Sequence, residues 1–175
     1  MGTEQALIRP ASLDDVSSVV ASVSGLFAED GARHDPHMDP FWPDREGAGY
    51  YAQLVTSPDY LVLLAYAGER PIGHLVGRLA TADPLRPSVL GAELESMRVA
   101  PEARDSGVGS DLVRRFLDWA AERGANETRV RAFAANAGAL RFYEHWGFAP
   151  THVDLARPLR KGPGLARFAP SIGDA

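Results

Sequence analysis

Apolar residues in this chain recur with two different periods, and the switches between them mark its elements. "ALIRPAS" reads as a short strand running into a turn, and "SLDDVSSVVASVSGLFAED" as a helix capped by Ser12, with Asp14 and Asp15 complementing its N-terminus. "GARHDPHMDPFWPDREG" has no period and carries prolines, acids and aromatics, so a long loop is expected there, with a short helix over "GYYAQLVTS". Two apolar runs around "AGERP" in "YLVLLAYAGERPIGHLVGRL" predict a β-hairpin. A proline-rich connection, "ATADPLRPSVLG", leads to the strand "AELESMRVA". From Gly107 the residues Val108, Leu112, Val113, Phe116, Leu117 and Ala120 fall at three- and four-residue spacing and share one helical face, ending near Gly124. Arginines alternating with β-branched and aromatic residues make "ETRVRAFAA" a strand. "NAGALRFYEHWGF" is a shorter helix with Leu140, Tyr143 and Trp146 on one stripe, Gly147 as its left-handed terminal residue and Phe148 folding back. "FAPTHVDLARPL" has room for one or two last strands, and the tail from Lys161 mixes Gly, Pro and small residues.

The chain has 175 residues, the size of one ordinary domain, and 45% hydrophobic with 23% charged residues is the balance of a soluble globular fold. A single domain over 1–160 is expected, followed by a loosely ordered tail over 161–175. No apolar run approaches the roughly 20 residues that span a bilayer, and the start lacks the stretches of a signal peptide, so the expected location is cytoplasmic, with no membrane partner. Cysteine is absent, which removes disulfides, thiolate metal ligands and a cysteine nucleophile. A net charge of -5 argues against nucleic acid and weakly favours cationic partners. Lys161 is the one lysine and is poorly placed for Schiff-base chemistry. His34, Asp35, His37 and Asp39 lack a helical frame and a clear third ligand, so they read as a solvated acidic loop and no metal is expected.

Chemistry concentrates around "RDSGVGSDL", Arg104 to Leu112, where a strand passes through a glycine turn into the long amphipathic helix. The first helical N–H groups lie unpaired at the positive end of the helix dipole, and glycine permits close approach, so the arrangement suits a phosphate. A Walker A loop would need Gly-Lys-Ser/Thr, which is missing, and a dinucleotide fingerprint would need a small residue where Leu112 stands.

Arg104-x-x-Gly107-x-Gly109, behind a strand ending in Val99-x-Pro101, resembles the cofactor motif of the GNAT superfamily of N-acetyltransferases. A second block agrees: "NAGALRFYEHWGF" is similar to the family's N-x-x-A-x-x-F-Y-x-x-x-G-F, with Asn136, Ala139, Phe142, Tyr143, Gly147 and Phe148 in register. The likeness is sharp from Glu93 to Phe148. Asp105 departs from it, standing where the family usually has glycine. The resemblance implies an α/β (α+β) fold: a mixed, mostly antiparallel twisted sheet with two splayed parallel central strands, flanked by helices. It implies acetyl-CoA as co-substrate in the wedge between those strands, with the pyrophosphate over amides from Ser106 through Gly107, Val108, Gly109 and Ser110 to Leu112. The pantetheine would pair with backbone of Met97 and Val99, and Arg104, Asn136 and Tyr143 would complete the cofactor site. A homodimer would be unsurprising for the family.

Acetylating an alkyl amine requires removing its proton, since an ammonium with pKa near 10.4 is almost wholly protonated at neutral pH. Glu93 and Glu95 stand two apart on the strand before the turn, nominally on one face, and either is a candidate base, directly or through water. An ordinary glutamate is too weak for this, so burial must raise its pKa or water must relay the proton. Glu95 matches the family's frequent placement, and Glu93 an acid used by other members. Tyr143 matches the tyrosine that meets the departing thiolate, and hydrogen-bond stabilisation is the safer role for a phenol. Read without the family, Tyr143 is an aromatic on a core-facing stripe. Asn136 could equally cap its own helix. Phe41 and Trp42 with Glu29, Asp30 and Asp44 are read as the rim of an acceptor pocket suited to a small cationic amine. A non-catalytic CoA-binding sensor, a longer-chain or hydroxyl acyltransferase, and a peptide or protein amine acceptor stay open.

Overall fold

The computed structural model describes residues 6–157, and its framework is a sheet of five strands in the order β1-β2-β3-β4-β5. These are β1 (Leu7–Pro10), β2 (Tyr60–Ala67), β3 (Arg70–Leu79), β4 (Gly91–Val99) and β5 (Glu127–Val130). The first four pair antiparallel, and β5 runs parallel to β4. That last pairing is short, running from Gly91 opposite Glu127 to Leu94 opposite Val130. Beyond it β4 continues through Val99 paired with β3 only, while the chain after Val130 leaves the sheet. The strand expected across "ETRVRAFAA" therefore stops early, because its partner diverges and the remaining backbone has no ladder to join. This divergence is the wedge.

Alternation along the strands sends two apolar sets to opposite faces. Leu63, Ala65, Leu75, Ala92 and Leu94 pack with Val108, Leu112, Val113, Phe116 and Ala120 of α4 (Val108–Glu122). Val62, Leu64, Tyr66 and Val76 pack instead with Val19 and Val23 of α1 (Val16–Leu26) and with Tyr51 and Leu54 of α3 (Trp42–Thr56). Phe116, fully buried, seats against Gly77 of β3, where a Cβ would come within 2.6 Å of its ring. Helix α5 (Ala137–His145) ends as its sequence predicts. Gly147 and Phe148 N–H donate to the carbonyls of Glu144 and Tyr143, at 3.0 Å each, and Phe148 meets the Tyr143 ring edge-on.

The N-terminal helix differs from the sequence pattern in detail. A 3₁₀ turn (Leu13–Asp15) precedes α1, and after Leu26 the coil widens into a π-turn (Phe27–Gly31) followed by the single turn α2 (Ala32–His34). Asp15 supplies the closure assigned to Ser12: its carboxylate accepts the Ser12 N–H and Oγ–H, both at 2.8 Å. It also takes Arg9 at 2.7 Å and the Tyr66 hydroxyl at 2.9 Å, so this buried acid is fully satisfied. The Arg9 hydrogen bond, ahead of the other donors, holds it well below the usual carboxylate range.

Two expectations need correction. The stretch read as one loop from Gly31 to Gly47 is irregular only between His34 and Trp42, because Pro43 sits in the first turn of α3, where its missing N–H costs nothing. "FAPTHVDLARPL" forms no strand in its described part, which ends at Arg157. Pro150 offers no donor, and Val153 and Leu155 project into solvent at 77% and 93% exposure, so no face is available to bury a ladder. The 160 boundary and the tail over 161–175 lie outside the described residues.

Candidate active site

The site begins at the entrance to α4. Gly107 takes φ +90° at the N-cap, a left-handed backbone that glycine adopts without steric penalty. No side chain caps this helix, and the first bond from its interior is Asp111 N–H to Gly107 O at 3.0 Å. The amides of Val108, Gly109 and Ser110 consequently have no partner within the helix. Ser106 is turned backward, its hydroxyl donating to Ala103 O at 2.6 Å. Asp105 has φ 60°, which explains why a glycine suits this position and why an aspartate tolerates it at some cost. Val108 is buried in the core, while Gly109 lies between β4 and α5. A Cβ on Gly109 would stand 3.5 Å from Phe142 and 3.6 Å from Val99.

Met97 and Val99, on the stretch of β4 that pairs with β3 but is left open on the β5 side, rest partly buried against the α4-side core. Arg104 reaches back over them. Its Nε donates to Val99 O at 3.1 Å and its Nη2 to Glu29 at 2.6 Å, and Glu29 also receives Arg98 at 3.1 and 2.6 Å. In this arrangement Arg104 covers Val99 O, a backbone group expected from sequence to meet pantetheine.

A bulge sets the acids. Val76 lies opposite Ser96 and Gly77 opposite Leu94, leaving Glu95 as the extra residue in β4. Leu94 and Met97 therefore face α4, whereas Glu95 and Ser96, neighbours in sequence, both line a cleft on the α1/α3 side. Arg78 stands between the two candidate bases. Its Nη2 donates to Glu93 Oε2 at 2.5 Å and its Nε lies 2.5 Å from Glu95 Oε1. Burial raises the Glu95 carboxyl above its ordinary value; Arg78 opposes that shift and the nearby Glu93 charge adds to it.

The cleft has a volume of about 290 Å³ and is lined by Phe27, Trp42, Tyr50, Tyr51, Val76, Glu95 and Ser96. Beneath Ser96, fully buried His74 bridges two hydroxyls, with Nε2 2.6 Å from Ser96 Oγ and Nδ1 2.7 Å from Ser22 Oγ. Burial pushes His74 down to about 3, with Arg98 adding to the shift, so the ring is neutral and donates through one nitrogen only.

Across the wedge, Tyr143 lies edge-on to both Phe142 and Phe148, at centroid distances of 5.3 and 5.7 Å. Burial, with a contribution from Asp30, pushes its phenol up to about 12. Asn136 does two jobs: its Oδ1 accepts the Ala139 N–H at 3.0 Å, capping α5, and its Nδ2 donates to both Asp30 oxygens at 3.1 Å. Asp30 belongs to the π-turn, so this contact ties the segment after α1 to the start of α5.

Of the rim residues read from sequence, Trp42 lines the cleft and Phe41 is exposed. The acids are engaged elsewhere: Glu29 with two arginines, Asp30 with Asn136, and Asp44 with the Ser24 hydroxyl at 2.8 Å. His34 packs against Phe133 at 5.2 Å, and among the described residues no cluster of three His, Cys, Asp or Glu groups is placed to hold a metal. Sequence reasoning passed over Arg78, Ser96, His74 and the tyrosine pair. One signal was available: Gly77, isolated inside an apolar strand, marks the bulge that presents Ser96.

Two diverging parallel strands, with an uncapped glycine-led helix beside them and a carboxylate on the longer strand, give a mixed α/β fold of the GNAT kind. The chain belongs to the acetyltransferase (GNAT) family, whose model matches residues 26–148. It is 38% identical over 63 residues to the streptothricin acetyltransferase of Streptomyces lavendulae, covering 36% of this chain and 33% of that protein. It is 29% identical over 109 residues to the acetyl transferase GW6a of Oryza sativa subsp. japonica, covering 57% of this chain and 26% of that protein. The chain thus spans about a quarter to a third of the length of these relatives. Among solved structures, the aminoglycoside N-acetyltransferase AAC(6')-Iy in complex with CoA superposes with a TM-score of 0.72 at 16% identity. That match covers 91% of this chain and 98% of the other. The aminoglycoside 6'-N-acetyltransferase AAC(6')-Ih of Acinetobacter baumannii superposes with a TM-score of 0.66 at 23% identity, covering 90% of this chain and all of the other. At these identities the two structures share the fold. No helix among the described residues is long and apolar enough to cross a membrane.

Proposed function

We infer that this protein transfers the acetyl group of acetyl-CoA to a small primary amine, by direct attack while both are bound. The observation that carries the reading is the uncapped N-terminus of α4 lying beside the unpaired edge of β4. Together they offer anion-binding amides and free strand backbone in one place. Acetyl-CoA supplies an activated thioester, and the chain's residues supply the rest. The amides of Gly107, Val108, Gly109 and Ser110 hold the diphosphate, and backbone of Met97 and Val99 aligns the pantetheine once Arg104 has released Val99 O.

Glu95 takes the proton from the incoming ammonium, directly or through one water, and its raised pKa brings it toward that task. Glu93 tunes Glu95 through the shared Arg78. Tyr143, with a phenol pushed up to about 12, keeps its proton and donates a hydrogen bond to the departing sulfur. The test is thiol release from acetyl-CoA across a panel of primary amines. Glu95→Gln and Tyr143→Phe are each expected to lower kcat by roughly 100-fold with the cofactor affinity kept. Release indifferent to both substitutions would remove the catalytic assignment, and calorimetry showing no acetyl-CoA affinity would remove the reading altogether.

A further inference from the structure

The cleft over Glu95 is built from rings. Phe27 stacks on Trp42 at 6.2 Å, Trp42 meets Tyr50 edge-on at 5.4 Å, and Tyr50 meets Tyr51 edge-on at 5.1 Å. Each ring fixes the next, so the aromatic corner is set before any ligand arrives. Its charge is sparse. Glu95 is the one carboxylate among the described residues that lines the cleft, and Arg78 already shares that charge. Most acids carried by the surrounding segment are paired elsewhere, Glu29 with Arg98 and Arg104, Asp30 with Asn136, Asp39 with Arg45 and Asp44 with Ser24, while Glu46 of α3 is exposed and does not line the cleft.

A polycationic amino sugar would need several carboxylates and many hydroxyl partners, and among the described residues these walls offer π-faces, one shared anion and the hydroxyls of Ser96, Tyr50 and Tyr51. Size points the same way. About 290 Å³ is close to twice the roughly 150 Å³ that accommodates benzene, enough for one ring system and a short aminoalkyl arm.

We propose that the acceptor is a monoamine carrying a flat aromatic body, an arylalkylamine, with its nitrogen at Glu95 and its ring against Trp42 and Tyr50. The proposal rests on the transferase reading above and narrows it. The rings attract the ammonium during entry and bury the aryl group afterwards, while Glu95 receives the proton. The aromatic corner therefore sets KM, and the carboxylate sets kcat.

The experiment measures thiol release from acetyl-CoA with 2-phenylethylamine, tryptamine, n-butylamine and kanamycin, on the full chain and on Trp42→Ala and Tyr50→Leu. Calorimetric titration of 2-phenylethylamine and of kanamycin into each protein accompanies it. The aryl amines are expected to exceed n-butylamine and kanamycin by about tenfold or more in kcat/KM. Trp42→Ala should erase that preference through KM with kcat held within about twofold, and circular dichroism reports whether it folds. Tyr50→Leu, at a more exposed ring, serves if it does not. Kanamycin equal to or better than the aryl amines, or an aryl preference unmoved in both variants, overturns the proposal. If no amine is turned over although acetyl-CoA binds, the transferase reading fails separately. The titration then decides: ring-dependent binding of 2-phenylethylamine upholds the cleft's selectivity, and its absence overturns it.

Discussion

Nε of Arg78 lies 2.5 Å from Oε1 of Glu95, and Nη2 of the same guanidinium holds Glu93 at the same distance. One cation thus bridges both acids of β4. Glu95 is raised by burial, lowered by Arg78 and raised again by Glu93, so the two neighbours pull its titration in opposite directions. A base must be deprotonated to act, so activity rises with pH through its pKa. Arg78→Met should therefore move the acidic limb of the kcat/KM profile to higher pH, and Glu93→Gln to lower pH. Shifts of the same sign in both variants would show that Glu95 does not set that limb.

His74 couples stability to pH through burial. Its folded pKa, about 3, lies below the unfolded value near 6.5, so between these values the unfolded chain binds more protons. Stability is accordingly full above about pH 6.5 and is lost as pH falls toward 3, with a slope of up to about 1.4 kcal/mol per unit. Urea titrations at pH 7 and pH 5 should show this loss, and His74→Gln should flatten the difference while lowering stability at both. A loss undiminished in the variant would assign it to other groups.

Asp15 acts with the same sign through a different cause. Its folded pKa is depressed, so its contribution is present above the unfolded carboxyl value near 3.9 and disappears as pH falls through the folded one. Asp15→Asn should cost about 2 kcal/mol at pH 7, since it weakens hydrogen bonds to a charged acceptor from Arg9, Ser12 and Tyr66. Denaturation at neutral pH checks the magnitude, and a loss under about 0.5 kcal/mol would refute it.

The turn before α4 carries two left-handed residues with opposite expectations. Gly107→Ala should cost about 1 kcal/mol, because φ +90° disfavours a Cβ even though no atom lies within 4 Å of where it would be built. Asp105→Gly removes a Cβ from φ 60° and should stabilise by a few tenths of a kcal/mol or more, the residual being limited by glycine's unfolded-state entropy. Thermal melts of the two variants moving in the same direction would contradict this account.

Asn136→Ala removes the α5 cap and the tie to Asp30 together, and should cost about 1–2 kcal/mol. Asp30→Asn keeps the cap and tests the tie alone. If both variants lose equally in denaturant melts, the cap carries nothing.

Periodicity made α4 and α5 legible because α4 buries one stripe, α5 half-buries Phe142, Tyr143 and Trp146, and each is followed by a glycine, all of which are local signals. The glycine turn was equally readable, since Gly107 and Gly109 declare their backbone demands in sequence. Pairing was harder to read. Nothing in "ETRVRAFAA" says that its ladder ends at Val130, because that depends on where β4 goes. Glu95 and Glu93 were found as acids, but the guanidinium between them comes from β3, at a register that chain order does not reveal. The acids after α1 looked like a free rim because their partners Arg98, Arg104 and Asn136 lie far along the sequence.

The extra residue at Glu95 has a consequence for chain length. Regular pleating would send adjacent side chains to opposite sides, so an acid and a hydroxyl that are consecutive in the chain could not both look into the same cavity. Deleting one residue from β4 between Leu94 and Met97 would keep the sheet continuous yet cast out either the Glu95 carboxylate or the His74-linked hydroxyl. This strand can change its residue types more freely than its count.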